Sequence, residues 1–262
     1  MYLIFDTETT GLPKKWNAPL TDSDNWPRCV QISWQIHDQG GGLISNRDYL
    51  IKPDGFKIPY DSEKIHGIST ELATQQGEEI NNVLNFFQDD LNKVQFIIGH
   101  NVNFDRNILG AEFLRKGLDD PFPSLKIIDT CTEETANVCQ IKGGPRGRFK
   151  LPTLTELYFF LFNDKFQEAH NATADVEATA RVFFELIRRK LIKPNVFDNQ
   201  NFQANQITDI QNTIALYGIK HKNLRLESQK LKSPSTDKKP PISKQLSSLK
   251  DYSYVHLHNH TQ

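Results

Sequence analysis

The sequence predicts an α/β domain in which a five-stranded mixed sheet, with three antiparallel strands first, is flanked by helices. Hydrophobic residues make up 37% of the 262 residues, enough to bury a core. Residues 1–51 hold short apolar segments separated by short turns, which favours an antiparallel meander. After Pro53, segments with helical periodicity alternate with short apolar runs, a pattern typical of helices that cover a sheet.

The three antiparallel strands are predicted first. Residues Tyr2–Phe5 form an apolar run that leaves no room for a helix before Gly11. Residues 29–37 alternate between apolar and polar side chains, which is the period of a strand. The Gly-Gly-Gly turn at 40–42 leads to a third strand, predicted at 49–51.

The remaining predicted elements alternate between helix and strand. Helices are assigned where apolar residues recur every three or four positions, and strands where short apolar runs end at turn residues. In chain order these are a helix over 83–91, a strand at 95–98, a helix over 104–116, a strand at 126–128, and helices over 154–162 and 173–190. We expect residues 1–192 to form one folded domain.

The composition changes after this domain. Residues 193–224 are expected to form a weakly packed helical extension. Residues 225–251 are rich in Ser, Lys, Pro and Gln, which predicts a disordered basic linker. The segment 220–250 carries a net charge of +7, whereas residues 1–219 carry −7. Because an acidic domain does not attract phosphates by its own charge, handling nucleic acid would require metal ions.

Composition excludes several classes of protein. No apolar run approaches the ~20 residues that a bilayer span needs, and the first residues lack the features of a secretory signal. The cysteines Cys29, Cys131 and Cys139 are scattered and odd in number, which argues against a disulfide framework and a zinc ribbon. The sequence therefore predicts a cytoplasmic protein that does not contact a membrane.

Two carboxylates lie toward the end of the first predicted strand. Side chains at positions i and i+2 leave the same face of a strand, so Asp6 and Glu8 project together. Alone, this D-x-E pattern is more typical of a solvated strand end. If the pair is buried, the two carboxylates repel each other unless a cation lies between them.

Two further segments place acidic residues at helix starts. Asp105 lies in the first turn of a helix that follows a buried strand, a position where ligand groups collect in α/β sheets. Asp175 lies in the first turn of the last long helix, and His170 lies in the loop before it. Each has an ordinary explanation, since acidic residues favour helix N-termini and loop histidines are commonly exposed.

Together, these residues predict a metal site. Carboxylate oxygens suit hard divalent cations such as Mg²⁺ and Mn²⁺. Four carboxylates can hold two such ions ~4 Å apart, the arrangement that cleaves phosphodiesters. An imidazole with a pKa near ~6.5 is suited to accept the proton of the attacking water at neutral pH.

The ordered motifs resemble those of a known enzyme family. The sequences D-T-E-T-T-G at 6–11, H-N-x-x-F-D at 100–105 and H-x-x-x-x-D at 170–175 are similar to those of the DEDDh 3′–5′ exonucleases. This family includes the proofreading epsilon subunit of bacterial DNA polymerase III. The resemblance covers residues 1–190 and implies a ribonuclease-H-like fold.

The resemblance also implies the roles of the site residues. Asp6, Glu8, Asp105 and Asp175 would bind two Mg²⁺ ions, for which Mn²⁺ can substitute. His170 would be the general base.

Five more residues match family positions near the substrate. His66, in the I-H-G-I segment, resembles a substrate-contacting turn, although a buried histidine in a short helical turn is the simpler explanation. Thr7 and Thr9 would lie along the terminal nucleotide. Asn101 and Phe104 would line the same pocket, although an aromatic residue at this position is more often part of a core.

Two loops depart from the compact members of the family. Trp16 and Trp26, in the loop at 13–27, would either stack on bases or attach the loop to the sheet, and we favour attachment. The segment 142–150 is either a charged surface loop or a contact to the phosphate backbone. Its basic residues are Lys142, Arg146, Arg148 and Lys150.

The expected substrate is the 3′ end of DNA, single-stranded or frayed from a primer, in replication proofreading. The main alternative is RNA, because the motifs determine the reaction and not the sugar. A catalytically silent docking module of a replication complex is a third possibility, which loss of a site residue would favour. We expect a monomer that works with a replicative polymerase.

The C-terminal segment predicts that polymerase in the same polypeptide. His256, His258 and His260 alternate on a strand-like segment, which is a metal-ligand pattern, although a coincidental polar terminus is the alternative. Residues 252–262 resemble the first strand of the PHP domain that begins the alpha subunit of bacterial DNA polymerase III. The resemblance implies a truncated PHP domain in an exonuclease–polymerase fusion, with residues from Ser233 onward expected to be mobile.

Overall fold

A five-stranded mixed sheet forms the centre of the fold in the computed structural model, which describes residues 1–166, 169–192 and 222–232. The strands are β1 (Tyr2–Thr9), β2 (Cys29–His37), β3 (Leu43–Leu50), β4 (Phe96–Gly99) and β5 (Lys126–Asp129). Their order is β3-β2-β1-β4-β5. The first three pair antiparallel, and β4 and β5 extend the sheet in parallel from β1. The predicted sheet is confirmed.

Eight α-helices flank this sheet or pack beside it in the described part of the chain. They are α1 (Tyr60–His66), α2 (Thr70–Gln76), α3 (Ile80–Leu91), α4 (Val102–Arg115), α5 (Glu133–Cys139), α6 (Leu154–Phe162), α7 (Ala172–Arg188) and α8 (Leu224–Lys232). The four long predicted helices are α3, α4, α6 and α7. Among the residues that the structure describes, no helix is both long and apolar enough to span a bilayer.

Strand β1 separates two hydrophobic cores because its side chains alternate between the two faces of the sheet. Leu3 and Phe5 belong to a core with residues of α3 and α4. Tyr2 and Ile4 belong to a second core with residues of α6 and α7. Fully burying one such apolar side chain contributes about 1.5–3 kcal/mol, so packing on both faces fixes the position of the strand end.

Strand β2 is buried along its whole length, although alternate residues are polar. Its polar residues Gln31, Ser33, Gln35 and His37 are all fully buried, because α7 packs against this strand. Buried polar groups need hydrogen bonds, and the His37 ring has two, to Gly41 O and to Gln35 Oε1, both at 3.0 Å. Burial lowers the pKa of His37 to about 4, so the ring is neutral at pH 7.

Strand β3 begins at Leu43, earlier than the predicted strand at 49–51. The Asp38 side chain closes the preceding turn by accepting hydrogen bonds from Gly40 N and Gly42 N, at 2.9 and 2.8 Å. The strand can therefore pair with β2 directly after the turn. Its half-buried and exposed positions alternate at the sheet edge, and the polar residues at 45–48 hid the strand from the sequence pattern.

The prediction of disorder from residue 225 is wrong for residues 225–232, which lie in α8. This helix packs against α2, and Leu224 is buried in a small core with residues of α2. Ser228 is also buried: its hydroxyl donates to Gly67 O at 2.7 Å and accepts from Ser69 N at 3.0 Å. The composition of this segment does not favour an ordered structure by itself. Tertiary hydrogen bonds therefore order it.

Several predicted features lie outside the described residues. They are most of the helical extension at 193–224, the linker from residue 233, the expected mobility from Ser233 onward, and the PHP-like strand at 252–262.

Candidate active site

The first part of the site is the C-terminal end of β1. Asp6 and Glu8 share the face of β1 that carries Ile4, because side chains two apart leave the same face. Ile4 packs in the core that includes residues of α7. The two carboxylates therefore extend this face toward the N-terminus of α7. A register shift after Glu8 ends regular pairing with β2 at this point.

Asp105 reaches the site from the first turn of α4. It is buried, and its Oδ1 accepts hydrogen bonds from Thr7 N at 3.0 Å and from Thr7 Oγ1 at 2.6 Å. The residue before this helix, Asn101, has a left-handed backbone with φ of 62°. Its N–H donates to Asp129 Oδ1 at 2.8 Å, which ties the loop to the end of β5. Asp105 is thus attached directly to the strand that bears Asp6 and Glu8.

Asp175 and His170 are positioned by the N-terminus of α7. The Asn171 side chain caps this helix by accepting from Thr173 N at 3.2 Å. Gln31 of β2 holds the same helix start: its Nε2 donates to Asn171 Oδ1 at 3.3 Å, and its Oε1 accepts from Ala172 N at 3.2 Å. Gln31 lies opposite Glu8 in the β1–β2 register, so the helix start is fixed beside Glu8.

This placement brings together three groups that can bind a metal ion. Ligand atoms of Glu8, His170 and Asp175 all lie within 4.8 Å of one another. His170 is exposed and has a left-handed backbone with φ of 69°. Its main-chain N–H donates to Asp175 Oδ2 at 3.0 Å. The chain therefore turns sharply at His170, and the hydrogen bond from the main chain of this turn orients the Asp175 carboxylate.

The clustered carboxylates raise one another's pKa. Burial raises the pKa of Asp6 well above its usual value, and the charges of Asp105, Asp175 and Glu8 raise it further. Burial followed by the charges of Asp175 and Asp105 raises the pKa of Glu8 in the same way. Burial raises the pKa of Asp105 to about 7, against the lowering effect of its hydrogen bonds from Thr7. A divalent cation among these oxygens would remove the repulsion, so the residues fit such an ion.

His66 lies at the end of α1 and is buried, as the simpler prediction required. Its Nδ1 accepts from Ile68 N at 3.1 Å, which places the ring proton on Nε2. Burial lowers the pKa of His66 to about 4, against the raising effect of a hydrogen bond with the Thr9 main chain. His66 is therefore a neutral imidazole beside the site.

The threonine hydroxyls on β1 are already engaged within the protein. The hydroxyl of Thr7 donates to Asp105, and that of Thr9 donates to Gly11 O at 2.7 Å. Phe104 is half-buried and contacts the core of α3 and α4. Both threonine hydroxyls therefore have partners within the protein.

The two tryptophans of the loop at 13–27 have different environments. Trp26 is 3% exposed, and its Nε1 donates to Pro19 O at 3.1 Å, so it attaches the loop as predicted. Trp16 is 57% exposed, so for this residue both attachment and stacking on a base stay predictions. Its ring contacts Phe104, with 5.9 Å between the centroids.

Two of the four basic residues at 142–150 have acidic partners. Arg148 pairs with Glu133, and Lys150 Nζ lies 2.7 Å from Glu156 Oε1. These ion pairs explain part of the charge of the loop as surface structure.

Sequence reasoning missed three residues that hold the site together. Gln31 and Asp129 act through partners distant in the sequence, which no local pattern reveals. Asn171 had a readable signal, since Asn before a helix is a common N-cap.

Comparison with solved structures places the fold among exonucleases. A structure of E. coli exonuclease I in complex with a dT13 oligonucleotide has a TM-score of 0.56 and 22% identity, over 71% of this chain and 40% of that chain. The zinc-ion-bound form of an E. coli exonuclease I–single-stranded DNA complex has a TM-score of 0.57 and 22% identity, over 72% and 40% of the two chains. The predicted ribonuclease-H-like fold is confirmed.

Curated relatives are PolC-type DNA polymerases III. The Streptococcus suis protein is 28% identical over 229 residues, which cover 87% of this chain and 14% of that protein. The Lacticaseibacillus paracasei protein is 26% identical over 185 residues, which cover 71% and 11%. This chain thus spans only about a tenth of the length of the curated relatives it matches. A family model described as exonuclease, RNase_T, matches residues 3–183, most of this chain, which therefore belongs to that exonuclease family.

Proposed function

We propose that this chain is a divalent-metal-dependent 3′–5′ exonuclease that removes nucleotides from DNA 3′ ends and releases 5′-mononucleotides. The observation that carries the proposal is the grouping of Glu8, His170 and Asp175 within 4.8 Å, beside Asp6 and Asp105 with raised pKa values. Buried acids of this kind are unfavourable without a cation. The exonuclease family match supports the same chemistry.

Asp6, Glu8, Asp105 and Asp175 are the residues that would hold two Mg²⁺ ions, with Mn²⁺ able to substitute. All their donor atoms are carboxylate oxygens, the ligands that these hard cations prefer. When bound, such ions supply an acidified water and stabilise charge on the scissile phosphate. The protein contributes the fixed positions: Thr7 orients Asp105, and the start of α7 orients Asp175.

His170 is the proposed general base. Its exposed ring can accept the proton of the attacking water. The water oxygen bonds to phosphorus, and the bond from phosphorus to the 3′ oxygen of the preceding nucleotide breaks. That oxygen takes up a proton, and the released nucleotide keeps its 5′ phosphate.

The proposed substrate contacts lie around the same strand end. His66 lies beside Thr9 at this strand end, and its neutral ring is the proposed contact to the terminal nucleotide. Thr7 and Thr9 would lie along the terminal nucleotide, with their hydroxyls held by Asp105 and Gly11. Asn101 and Phe104 would line the pocket on the α4 side.

We propose DNA as the substrate and proofreading as the role, because the curated relatives are DNA polymerases. The proposed partner is a replicative polymerase, in the same polypeptide if the native chain continues past Gln262, and the isolated chain is a monomer. Reading the native gene past this codon tests the fusion. A stop codon there, with no polymerase sequence following, would discard it.

One assay separates the candidate functions. Mn²⁺ is titrated while 5′-mononucleotide release is followed from single strands, matched primer ends and mismatched primer ends, each as DNA and as RNA. We expect DNA to be cleaved faster than RNA and mismatched ends faster than matched ends. Faster cleavage of RNA would identify an exoribonuclease instead. Absence of cleavage on every substrate would favour a docking module.

A further inference from the structure

The loop at 13–27 is held in one conformation by a buried side chain. Asn25 is 4% exposed, and its side-chain amide forms hydrogen bonds with both the main-chain N–H and the main-chain carbonyl of Lys15. Its Oδ1 accepts from Lys15 N at 2.7 Å, and its Nδ2 donates to Lys15 O at 3.0 Å. The neighbouring Lys14 N donates to Asn25 O at 3.2 Å. The residue before Trp16 is therefore fixed in place.

The far side of the loop is attached to the body of the domain. Buried Trp26 donates to Pro19 O, which closes the loop on itself. Arg115 of α4 donates through Nη2 to Ser23 O at 2.7 Å and to Trp26 O at 2.5 Å. These contacts fix both ends of the loop, so the main chain that carries Trp16 is held in place.

This ordered loop presents an exposed indole. Trp16 is 57% exposed, whereas Trp26 and Trp34 are 3% and 0% exposed. One part of the Trp16 ring contacts Phe104, which precedes Asp105 in α4. Leaving so large an apolar surface in water is unfavourable by about 25 cal/mol per Å².

The chemistry around Trp16 fits a nucleotide. Indole rings stack on nucleobases of any sequence, and Lys14 and Lys15, directly before Trp16, have exposed side chains that can pair with phosphates. The contact with Phe104 supports the indole from one side, next to the acidic cluster. A flat aromatic surface with adjacent cations and a nearby phosphodiester-cleaving site suits one ligand, a single-stranded nucleic acid.

We propose that Trp16 is a stacking platform for a nucleobase near the 3′ end of the bound strand, supported by Phe104. This proposal rests on the proposed function, which brings the strand end to the site. Stacking does not read the sugar, so the platform serves DNA and RNA alike. It holds the strand while the acidic cluster acts on its end.

Steady-state cleavage of a single strand tests the platform. Trp16→Ala and Trp16→Leu should raise KM about 5- to 150-fold, the range for losing one base–aromatic stack, with a smaller change in kcat. Trp16→Phe should retain most of the affinity, because it keeps an aromatic face. The matched control is Phe159→Ala, which removes a 48%-exposed aromatic side chain from α6. Equal KM values for Trp16→Leu and the wild type would overturn the proposal.

The stacked base can be located with abasic strands. A series of strands carries one abasic nucleotide at successive positions from the 3′ end. At one position, the abasic site should weaken wild-type binding but leave Trp16→Leu binding unchanged, since both changes remove the same contact. Independent effects at every position would contradict the proposal.

Fluorescence separates failure of this proposal from failure of the proposed function. In an Asp6→Asn background, an oligothymidylate should quench the exposed Trp16, and Trp16→Phe should abolish that quenching because Trp26 and Trp34 are buried. Quenching in a protein whose wild type cleaves nothing would keep the platform and discard the exonuclease. Cleavage without quenching would keep the exonuclease and discard the platform. Neither cleavage nor quenching would discard both.

Discussion

Replacing Asp105 by Asn should stabilise the metal-free protein and abolish cleavage. Asp105 is buried among acidic residues, and burial raises its pKa from 3.8 to about 7. Asn keeps the Oδ1 that accepts both hydrogen bonds from Thr7. The substitution therefore removes the charge with little change in geometry, although it removes a proposed metal ligand.

The expected magnitude follows from the pKa of Asp105. Below pH 3.8 the carboxyl is protonated in both the folded and the unfolded chain, so it has no effect on stability. As pH rises, the unfolded chain releases this proton while the folded protein retains it until about pH 7. Each pKa unit corresponds to about 1.4 kcal/mol. Asp105 should thus destabilise the metal-free protein at pH 7.5 by on the order of 4 kcal/mol.

Urea unfolding in EDTA at pH 4 and pH 7.5 measures this effect. Asp105→Asn should be more stable than the wild type at pH 7.5 and nearly equal to it at pH 4. Adding Mn²⁺ at pH 7.5 should stabilise the wild type more than the variant, because ligand binding favours the folded state. Asp119→Asn, an exposed acid after α4, is the matched control. Lower stability of Asp105→Asn at pH 7.5 would refute the reasoning.

Three further substitutions test the site and the docking of α8. His170→Ala should slow cleavage roughly 10²–10⁴-fold while Mn²⁺ binding persists, because the residue supplies a base. Lost Mn²⁺ affinity in this variant would make His170 a ligand instead. Asn171→Ala should reduce the free energy of unfolding, measured in urea, by about 0.5–2 kcal/mol because the N-cap of α7 is lost. Unchanged stability and activity would contradict the positioning role of Asn171. Ser228→Ala should destabilise by about 1–3 kcal/mol, since it leaves buried Gly67 and Ser69 groups unpaired, whereas exposed Ser124→Ala should have little effect. Equal unfolding midpoints for these two serine variants would exclude the docking of α8.

The proposed site could be predicted from the sequence because its residues occupy positions with local geometric meaning. Strand periodicity places Asp6 and Glu8 on one face, and helix starts place Asp105 and Asp175 at the sheet edge. Strand periodicity and helix starts depend on neighbouring residues only, so they can be recognised without knowing the tertiary contacts. The sheet followed for the same reason, since apolar periodicity specified every central strand.

The features that the sequence missed depend on contacts between distant residues. The bond from Gln31 to the start of α7 joins residues 140 apart, and Ser228 is ordered only by partners near α1 and α2. Trp16 and Trp26 have the same side chain in the same loop, yet only one is buried. Burial of a particular side chain is decided by tertiary packing, which composition and periodicity do not encode.

Anomalous diffraction from an active crystal soaked in Mn²⁺ tests the central claim most directly. We expect two manganese peaks about 4 Å apart, each bonded to carboxylate oxygens from the set Asp6, Glu8, Asp105 and Asp175. Manganese at another place in a crystal that still cleaves a soaked strand would contradict the assignment of the acidic cluster as the catalytic metal site.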